Sequence, residues 1–139
     1  MLNFLLKGAT VLQAVELKPG WVLPADTIWI DLLNPTRDEE LAAERALGIL
    51  LPTREEMSEI ETSSRLYRED GAVFMTAQLI TNSGGETPIS APVTFVLAGE
   101  RLITIRYVEP TAFKIVADQI TRDPQGQVNG AAVLLALID

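Results

Sequence analysis

The fold of this chain is decided by the stretch APVTFVLAGERLITIRYVE, which runs from Ala91 to Glu109. Two runs rich in β-branched and aromatic residues flank Gly99-Glu100, where the glycine can adopt positive φ, and this pattern predicts a β-hairpin. Both predicted strands are apolar on both faces, apart from two threonines and Arg106. Because such strands need cover on each side, the stretch predicts a sheet that is covered by helices on more than one side.

The stretch TIWIDLL at 27–33 has the same character, since it is nearly continuous in apolar residues and predicts another buried strand. A helix is predicted directly after this strand. Asn34 is suited to the N-cap, Pro35 fits the first helical position, and Gly48 fits the C-terminal cap. The acidic residues at 38–40 favour the positive end of the helix dipole.

Further hairpins are predicted near the start of the chain and in its middle. The runs LNFLLKG and TVLQAVE flank Lys7-Gly8, and the runs SRLYRED and AVFMTAQLI flank a turn at 69–71. Two more helices are predicted, one from Pro110 onward and one beginning near Asn129. With 139 residues, the chain is long enough for one domain with a core, so we assign residues 1–139 to one domain.

Composition excludes several kinds of chemistry. The chain has no cysteine and no histidine, so it cannot form disulfides, thiolate or imidazole metal sites, or nucleophiles activated by histidine. Any metal would be held by oxygen ligands, which favours hard cations such as magnesium or calcium. The formal charge is −8, and residues 38–61 contain eight acidic residues against two arginines. Because such a surface repels phosphate backbones, we expect no nucleic-acid partner.

The acidic stretch LPTREEMSEIE at 51–61 has two interpretations. Thr53 is suited to the N-cap of a short helix, and Glu56 follows three residues later, which is the spacing of a capping box. Met57 and Ile60 would then face the core. Clustered carboxylates are also ligands of divalent cations, so the same segment is a candidate metal site. The remaining acids of the helix are assigned to its solvated face: Glu59 and Glu61.

Four single residues receive structural interpretations. Asp31 ends a predicted core strand beside Asn34, where an Asx turn explains its presence without a ligand. Arg106 lies on a mostly apolar strand, so we expect it to pair with an acid at the edge of the core rather than to act in catalysis. Trp21 and Trp29 are assigned to the core.

The order and spacing of these motifs resemble the cytoplasmic N-terminal domain of the CorA family of magnesium transporters, over nearly the whole chain. The matching motifs are Trp29-Ile30-Asp31-Leu32, Thr53-Arg54-Glu55-Glu56 with Ile60-Glu61, Leu102-Ile103-Thr104-Ile105-Arg106 leading to Phe113, and the terminal LLALID. The resemblance implies an α/β fold with a mixed, largely antiparallel β-sheet sandwiched between α-helices.

In that family the cytoplasmic domain continues into a long stalk helix and two transmembrane helices, and the assembly is a homopentamer. The resemblance therefore implies that residues 1–139 form a single cytoplasmic domain, truncated before the stalk and the transmembrane helices. The fragment would itself be soluble and would work at the cytoplasmic face of the inner membrane. Its partners would be other copies of itself and its own transmembrane region, with no small-molecule substrate and no enzyme activity.

The resemblance also implies regulatory Mg²⁺, bound through carboxylates between neighbouring protomers. On the family's pattern, Glu56 falls at the main intracellular metal-site acid, Glu55 at an adjacent site and Asp139 at a third acid position. The implied function is to sense intracellular magnesium and to gate the pore. Two alternatives stay open: the corresponding domain of a zinc transporter, and a metal-dependent hydrolase that uses clustered carboxylates.

Overall fold

The computed structural model describes residues 1–59, 65–81, 88–123 and 129–138. Within these ranges, strands and helices follow one another along the chain as β1 (Leu2–Leu6), β2 (Gln13–Val15), β3 (Thr27–Leu33), α1 (Arg37–Leu47), α2 (Arg54–Ser58), β4 (Arg65–Glu69), β5 (Ala72–Thr81), β6 (Ile89–Ala98), β7 (Arg101–Arg106), α3 (Thr111–Arg122) and α4 (Gly130–Ile138). The predicted strand at 27–33 and the predicted hairpins are confirmed.

The strands form one sheet in the order β2-β1-β3-β7-β6-β5-β4. At its centre β3 and β7 run parallel, with Trp29 opposite Leu102 and Leu33 opposite Arg106. The other neighbouring strands are antiparallel. The predicted mixed, largely antiparallel sheet is therefore confirmed, and its one parallel pair joins the N-terminal strands to the long central hairpin.

Helices cover both faces of the sheet. Successive residues of the central strands point to opposite faces, so these strands contribute side chains to two cores. On one face, Ile30 packs in a core that includes Ala43 of α1 and Met57 of α2. On the other face, Trp29 packs in a core that includes Phe113 of α3 and Val133 of α4. The predicted α/β sandwich is confirmed.

The helix predicted after β3 is present, but the structure corrects its N-cap from Asn34 to Thr36. The Thr36 hydroxyl accepts a hydrogen bond from the Glu39 N–H (3.2 Å), and the Glu39 carboxylate accepts one from the Thr36 N–H (2.9 Å). This reciprocal pair is a capping box, which needs a glutamate or glutamine three residues after the cap. Asn34 lies before the helix with φ 44°, a left-handed conformation that asparagine tolerates.

The Glu39 carboxylate gives the fold a dependence on pH. Burial raises its pKa, but hydrogen bonds from Thr36 and from the Met1 ammonium, together with the ammonium charge, outweigh burial and lower the pKa below its ordinary value of 4.5. A lowered folded-state pKa contributes stability above the unfolded-state value, and this contribution is lost as the pH falls through the folded-state value.

We therefore expect Glu39→Gln to flatten the acid limb of a pH–stability profile measured by urea unfolding. Glu69→Gln, at the exposed end of β4, is the matched control and should leave that limb unchanged. An acid limb that is equally steep in the Glu39→Gln variant and the parent chain would contradict the assignment.

Candidate functional site

The short helix α2 carries the candidate metal ligands, and buried contacts on both sides hold it in place. Met57 is fully buried and packs in the core beneath α1 and α2. Just before the helix, the Leu51 side chain is buried and its N–H donates to the Glu44 carboxylate of α1 at 2.8 Å. The position of α2 is therefore set by apolar burial and by one hydrogen bond to its neighbouring helix.

The predicted capping box of α2 is confirmed. The Thr53 N–H donates to Glu56 Oε1 at 3.1 Å, and the Glu56 N–H donates to the Thr53 hydroxyl at 3.2 Å. The Glu56 side chain therefore bonds back to its own helix through Oε1. Since a carboxylate has two oxygens, the cap leaves Oε2 as the atom with which Glu56 could meet a cation.

We expect Thr53→Ala to lower the free energy of unfolding by about 1 kcal/mol, because it removes the hydroxyl that accepts from Glu56. Thr36→Ala removes the equivalent hydroxyl from α1 and is the matched control, with an expected loss of similar size. Urea unfolding of both variants measures the two values. A Thr53→Ala variant as stable as the parent would show that α2 does not depend on its cap.

Of the other residues that the sequence singles out near α2, the structure describes Glu55, a predicted metal ligand, and Glu59, which was assigned to the solvated face. Glu55 is exposed on the first turn of α2, directly beside Glu56. Glu59 is exposed as predicted and forms the C-cap. Asp139 lies outside the described residues, as do Ile60 and Glu61, so their predicted roles stay predictions. In the described part of the chain, no three acidic residues lie close enough together to hold a metal ion.

A cation–π contact ties α2 to the end of the central sheet. The Arg54 guanidinium carbon lies 4.6 Å from the centre of the Tyr107 ring, one residue after β7. Burial and the negative charge of Glu40 raise the pKa of Tyr107, and the positive charge of Arg54 opposes them. Arg54 therefore directly precedes the two candidate acids in sequence, but its guanidinium contacts the Tyr107 ring.

Asp31 takes part in a buried ion pair, which corrects its prediction as part of an Asx turn. Arg106 Nη2 lies 2.8 Å from Asp31 Oδ2, and the two side chains are 11% and 3% exposed. The Thr104 hydroxyl donates to Asp31 Oδ1 at 2.7 Å, and Trp29 Nε1 donates to the Thr104 oxygen at 3.0 Å. The prediction that Arg106 pairs with an acid is confirmed.

This network has a structural role because its polar groups satisfy one another. Arg106 Nε donates to both carboxylate oxygens of Asp31, and Nη1 donates to the Val108 carbonyl at 3.1 Å. The guanidinium also lies over the Phe113 ring, 4.3 Å from its centre. The network connects β3 to β7 and to the start of α3, with its charges paired inside the protein.

Comparisons with known proteins agree with this architecture. The family model described as CorA-like Mg²⁺ transporter protein matches residues 24–139. The magnesium transport protein CorA of Salmonella typhimurium is 30% identical over 112 residues, which cover 81% of this chain and 35% of that protein. The protein of the same name in Escherichia coli K12 gives the same values. The chain spans about a third of the length of the curated relatives it matches.

Solved structures share the fold at low sequence identity. The full-length CmaX protein aligns with a TM-score of 0.68 at 15% identity, covering 99% of this chain and 43% of CmaX. The soluble domain of CorA from Methanocaldococcus jannaschii aligns with a TM-score of 0.66 at 13% identity, covering 99% of this chain and 55% of that domain.

The sheet with helices on both faces thus has the fold of the CorA soluble domain. The chain belongs to the CorA-like Mg²⁺ transporter family. Within its described residues, no helix combines the length and the apolar character needed to cross a bilayer.

Proposed function

We propose that this chain is the cytoplasmic regulatory domain of a CorA-like magnesium transporter, where it senses intracellular Mg²⁺ and biases the pore between open and closed states. Residues 1–139 would then be one domain of a longer protein that assembles as a homopentamer. The observation that carries the sensing role is the pair Glu55 and Glu56 on α2: two adjacent exposed carboxylates on a helix whose position is fixed by the core.

The residues present fit a hydrated Mg²⁺ ion in part. Mg²⁺ keeps several of its waters and is usually held by one or two carboxylates. The Oε2 atom of Glu56 is an oxygen ligand of this kind at the proposed main site, Glu55 is one at an adjacent site, and Asp139 is proposed at a third acid position. Because the described residues contain no group of three converging acids, we assign the missing ligands to a neighbouring copy.

The regulatory step follows from the charge of the acidic faces. Two copies that bring their Glu55 and Glu56 carboxylates together repel each other, and a bound divalent cation would offset that repulsion. Bound Mg²⁺ then shifts the equilibrium between two assembled states only by the difference between its affinities for the two states. A sensor of millimolar ion needs only weak sites, since a Kd of 1 mM corresponds to about −4 kcal/mol.

We expect the isolated chain to bind Mg²⁺ with a Kd of about 1 mM or weaker, because part of each shared site is missing. Isothermal titration calorimetry of the 139-residue chain measures this affinity. The double variant Glu55→Gln/Glu56→Gln should remove the remaining heat of binding. Micromolar binding by the parent chain would show that the ligands lie elsewhere or converge within one copy.

The proposed function is tested in the full-length protein reconstituted in liposomes. Transport of Mg²⁺ is measured while the concentration on the side of this domain is raised. We expect Glu55→Gln and Glu56→Gln to increase the concentration needed to slow transport, whereas Glu59→Gln on the same helix should not. An unchanged response in the double Glu55→Gln/Glu56→Gln variant would refute the sensing role and leave the family assignment intact.

A further inference from the structure

A second candidate site lies away from the acidic pair of α2, in a cleft between residues 17–23 and α1. The cleft has a volume of about 880 Å³, which is within the range of small-molecule sites. Trp21 and Leu41 line it with apolar surface, and the small side chains of Ala42 and Ala46 leave room along α1. We name this feature the Trp21 cleft.

The charge of the Trp21 cleft is opposite to that of the chain as a whole. Lys18, Arg45 and Arg101 line it against one acid, Asp38, although the chain carries a formal charge of −8. Within the described ranges, no ion pair engages Lys18 or Arg45. These cations are therefore available to an anion that enters the cleft.

The other acids of α1 do not line the cleft, and each has a hydrogen-bond or ion-pair partner elsewhere. Glu39 pairs with the Met1 ammonium at 2.9 Å, and Glu40 pairs with Arg37 at 2.9 Å. Glu44 accepts the Leu51 N–H at 2.8 Å. Asp38 is thus the only acid of the helix that lines the cleft among the described residues.

Arg101 supplies a fixed charge at the cleft. Its Nε donates to the Thr27 carbonyl at 3.1 Å, and its Nη2 donates to the Ala25 carbonyl at 3.0 Å. Both acceptors are neutral, so the positive charge of the guanidinium stays uncompensated by them. A side chain held in this way loses little conformational entropy when an anion binds beside it.

Trp21 supplies an aromatic surface. It is half-buried against the core beneath α1, and it lines the cleft. Among the described residues, Trp29 has the only indole N–H that donates to a protein acceptor, so the N–H of Trp21 remains for a ligand. Tryptophan combines a large apolar face with one polar atom, and it stacks well on planar rings.

From these observations we propose that the Trp21 cleft binds a small aromatic anion, in which a planar ring stacks on Trp21 and the negative group meets Arg45 and Lys18. Nucleotides have this chemistry, and ATP is the probe. The site shares no residue with the proposed magnesium site, so the two proposals stand or fall separately. The ligand would be an effector rather than a substrate.

The test is titration of the chain with ATP in the presence of EDTA. Calorimetry and tryptophan fluorescence measure the binding. Because Trp29 is only 1% exposed, a change in fluorescence reports Trp21. We expect ATP to bind more tightly than adenosine, which lacks the charge, and more tightly than tripolyphosphate, which lacks the ring. Equal binding of ATP and either fragment would overturn the proposal, as would no binding of ATP at several millimolar.

Charge variants test the assignment of the residues. Arg45→Gln should weaken ATP binding about two- to fivefold, since it removes one exposed charge contact. Asp38→Asn should strengthen binding, because Asp38 is the only acid among the described residues that lines the cleft. Arg122→Gln makes the same charge change at the exposed end of α3 and should have no effect. Equal weakening by Arg45→Gln and Arg122→Gln, or weaker binding by Asp38→Asn, would overturn the proposal.

Discussion

Replacement of Asp31 by asparagine is expected to lower the free energy of unfolding by about 3–5 kcal/mol. The substitution keeps the size of the side chain and removes its charge, so Arg106 is left buried without a counter-ion. The loss is large because the guanidinium is nearly out of water and has its carboxylate partner at 2.8 Å. The Thr104 hydroxyl would at the same time lose a charged acceptor.

Urea unfolding measures this effect, and two further variants separate charge from packing. The double variant Asp31→Leu/Arg106→Met removes both charges, and it should be less destabilised than Asp31→Asn because no unpaired ion remains. Arg37→Met breaks an exposed ion pair with Glu40 and should cost less than about 1 kcal/mol. If Asp31→Asn cost no more than Arg37→Met, the pair would not support the sheet.

A second large effect is expected at Gly130, the first residue of α4. A Cβ placed there would lie 2.8 Å from the Glu100 carbonyl oxygen and closer still to the backbone of Arg101 and Leu102. The Gly130 N–H also donates to that carbonyl at 2.6 Å, so the helix start cannot move away freely. We expect Gly130→Ala to destabilise the fold by about 3 kcal/mol, at the upper end of the cost of overpacking.

The sign of the Gly130→Ala effect is itself diagnostic. Alanine is a better helix former than glycine by about 1 kcal/mol, so helix propensity alone predicts a stabilised protein. Close backbone packing predicts the opposite. Thermal or urea unfolding decides between them, and Gly130→Ser should be destabilised at least as much as Gly130→Ala. A more stable Gly130→Ala protein would mean that α4 does not rest on β7 as described.

Several features that the sequence predicted correctly are local ones. The central hairpin follows from two apolar runs around Gly99-Glu100, and the cap of α2 follows from the spacing of Thr53 and Glu56. The wrong N-cap at Asn34 is also instructive, because the better candidate, Thr36, has its glutamate partner three residues later. In α1, the residue that completes a capping box is the N-cap.

Features that depend on distant residues were harder to predict. Asp31 and Arg106 are 75 residues apart, and only the parallel pairing of β3 and β7 brings them together. A local turn explained Asp31 equally well on sequence grounds, although a charge inside an apolar strand was a usable signal. No sequence pattern predicted the Trp21 cleft, because its cations come from three separate segments of the chain.

The candidate metal site could also be predicted only in part from the sequence. Glu55 and Glu56 could be named because they are adjacent in sequence and resemble a family motif. The direction in which Glu56 points could not be predicted, because a capping carboxylate and a metal ligand use the same residue type at the same spacing. The structure assigns one oxygen of Glu56 to the cap and leaves the role of the other to experiment.

The parallel pair at the centre of the sheet has a mechanical consequence. β3 and β7 end at the same edge, and each strand leads into a helix on a different face. α4 packs on the start of β7 at Gly130, and the Asp31–Arg106 ion pair connects the end of β7 to β3. A push on α4 along the strands would therefore load β3 in shear, through a row of backbone hydrogen bonds that must yield together.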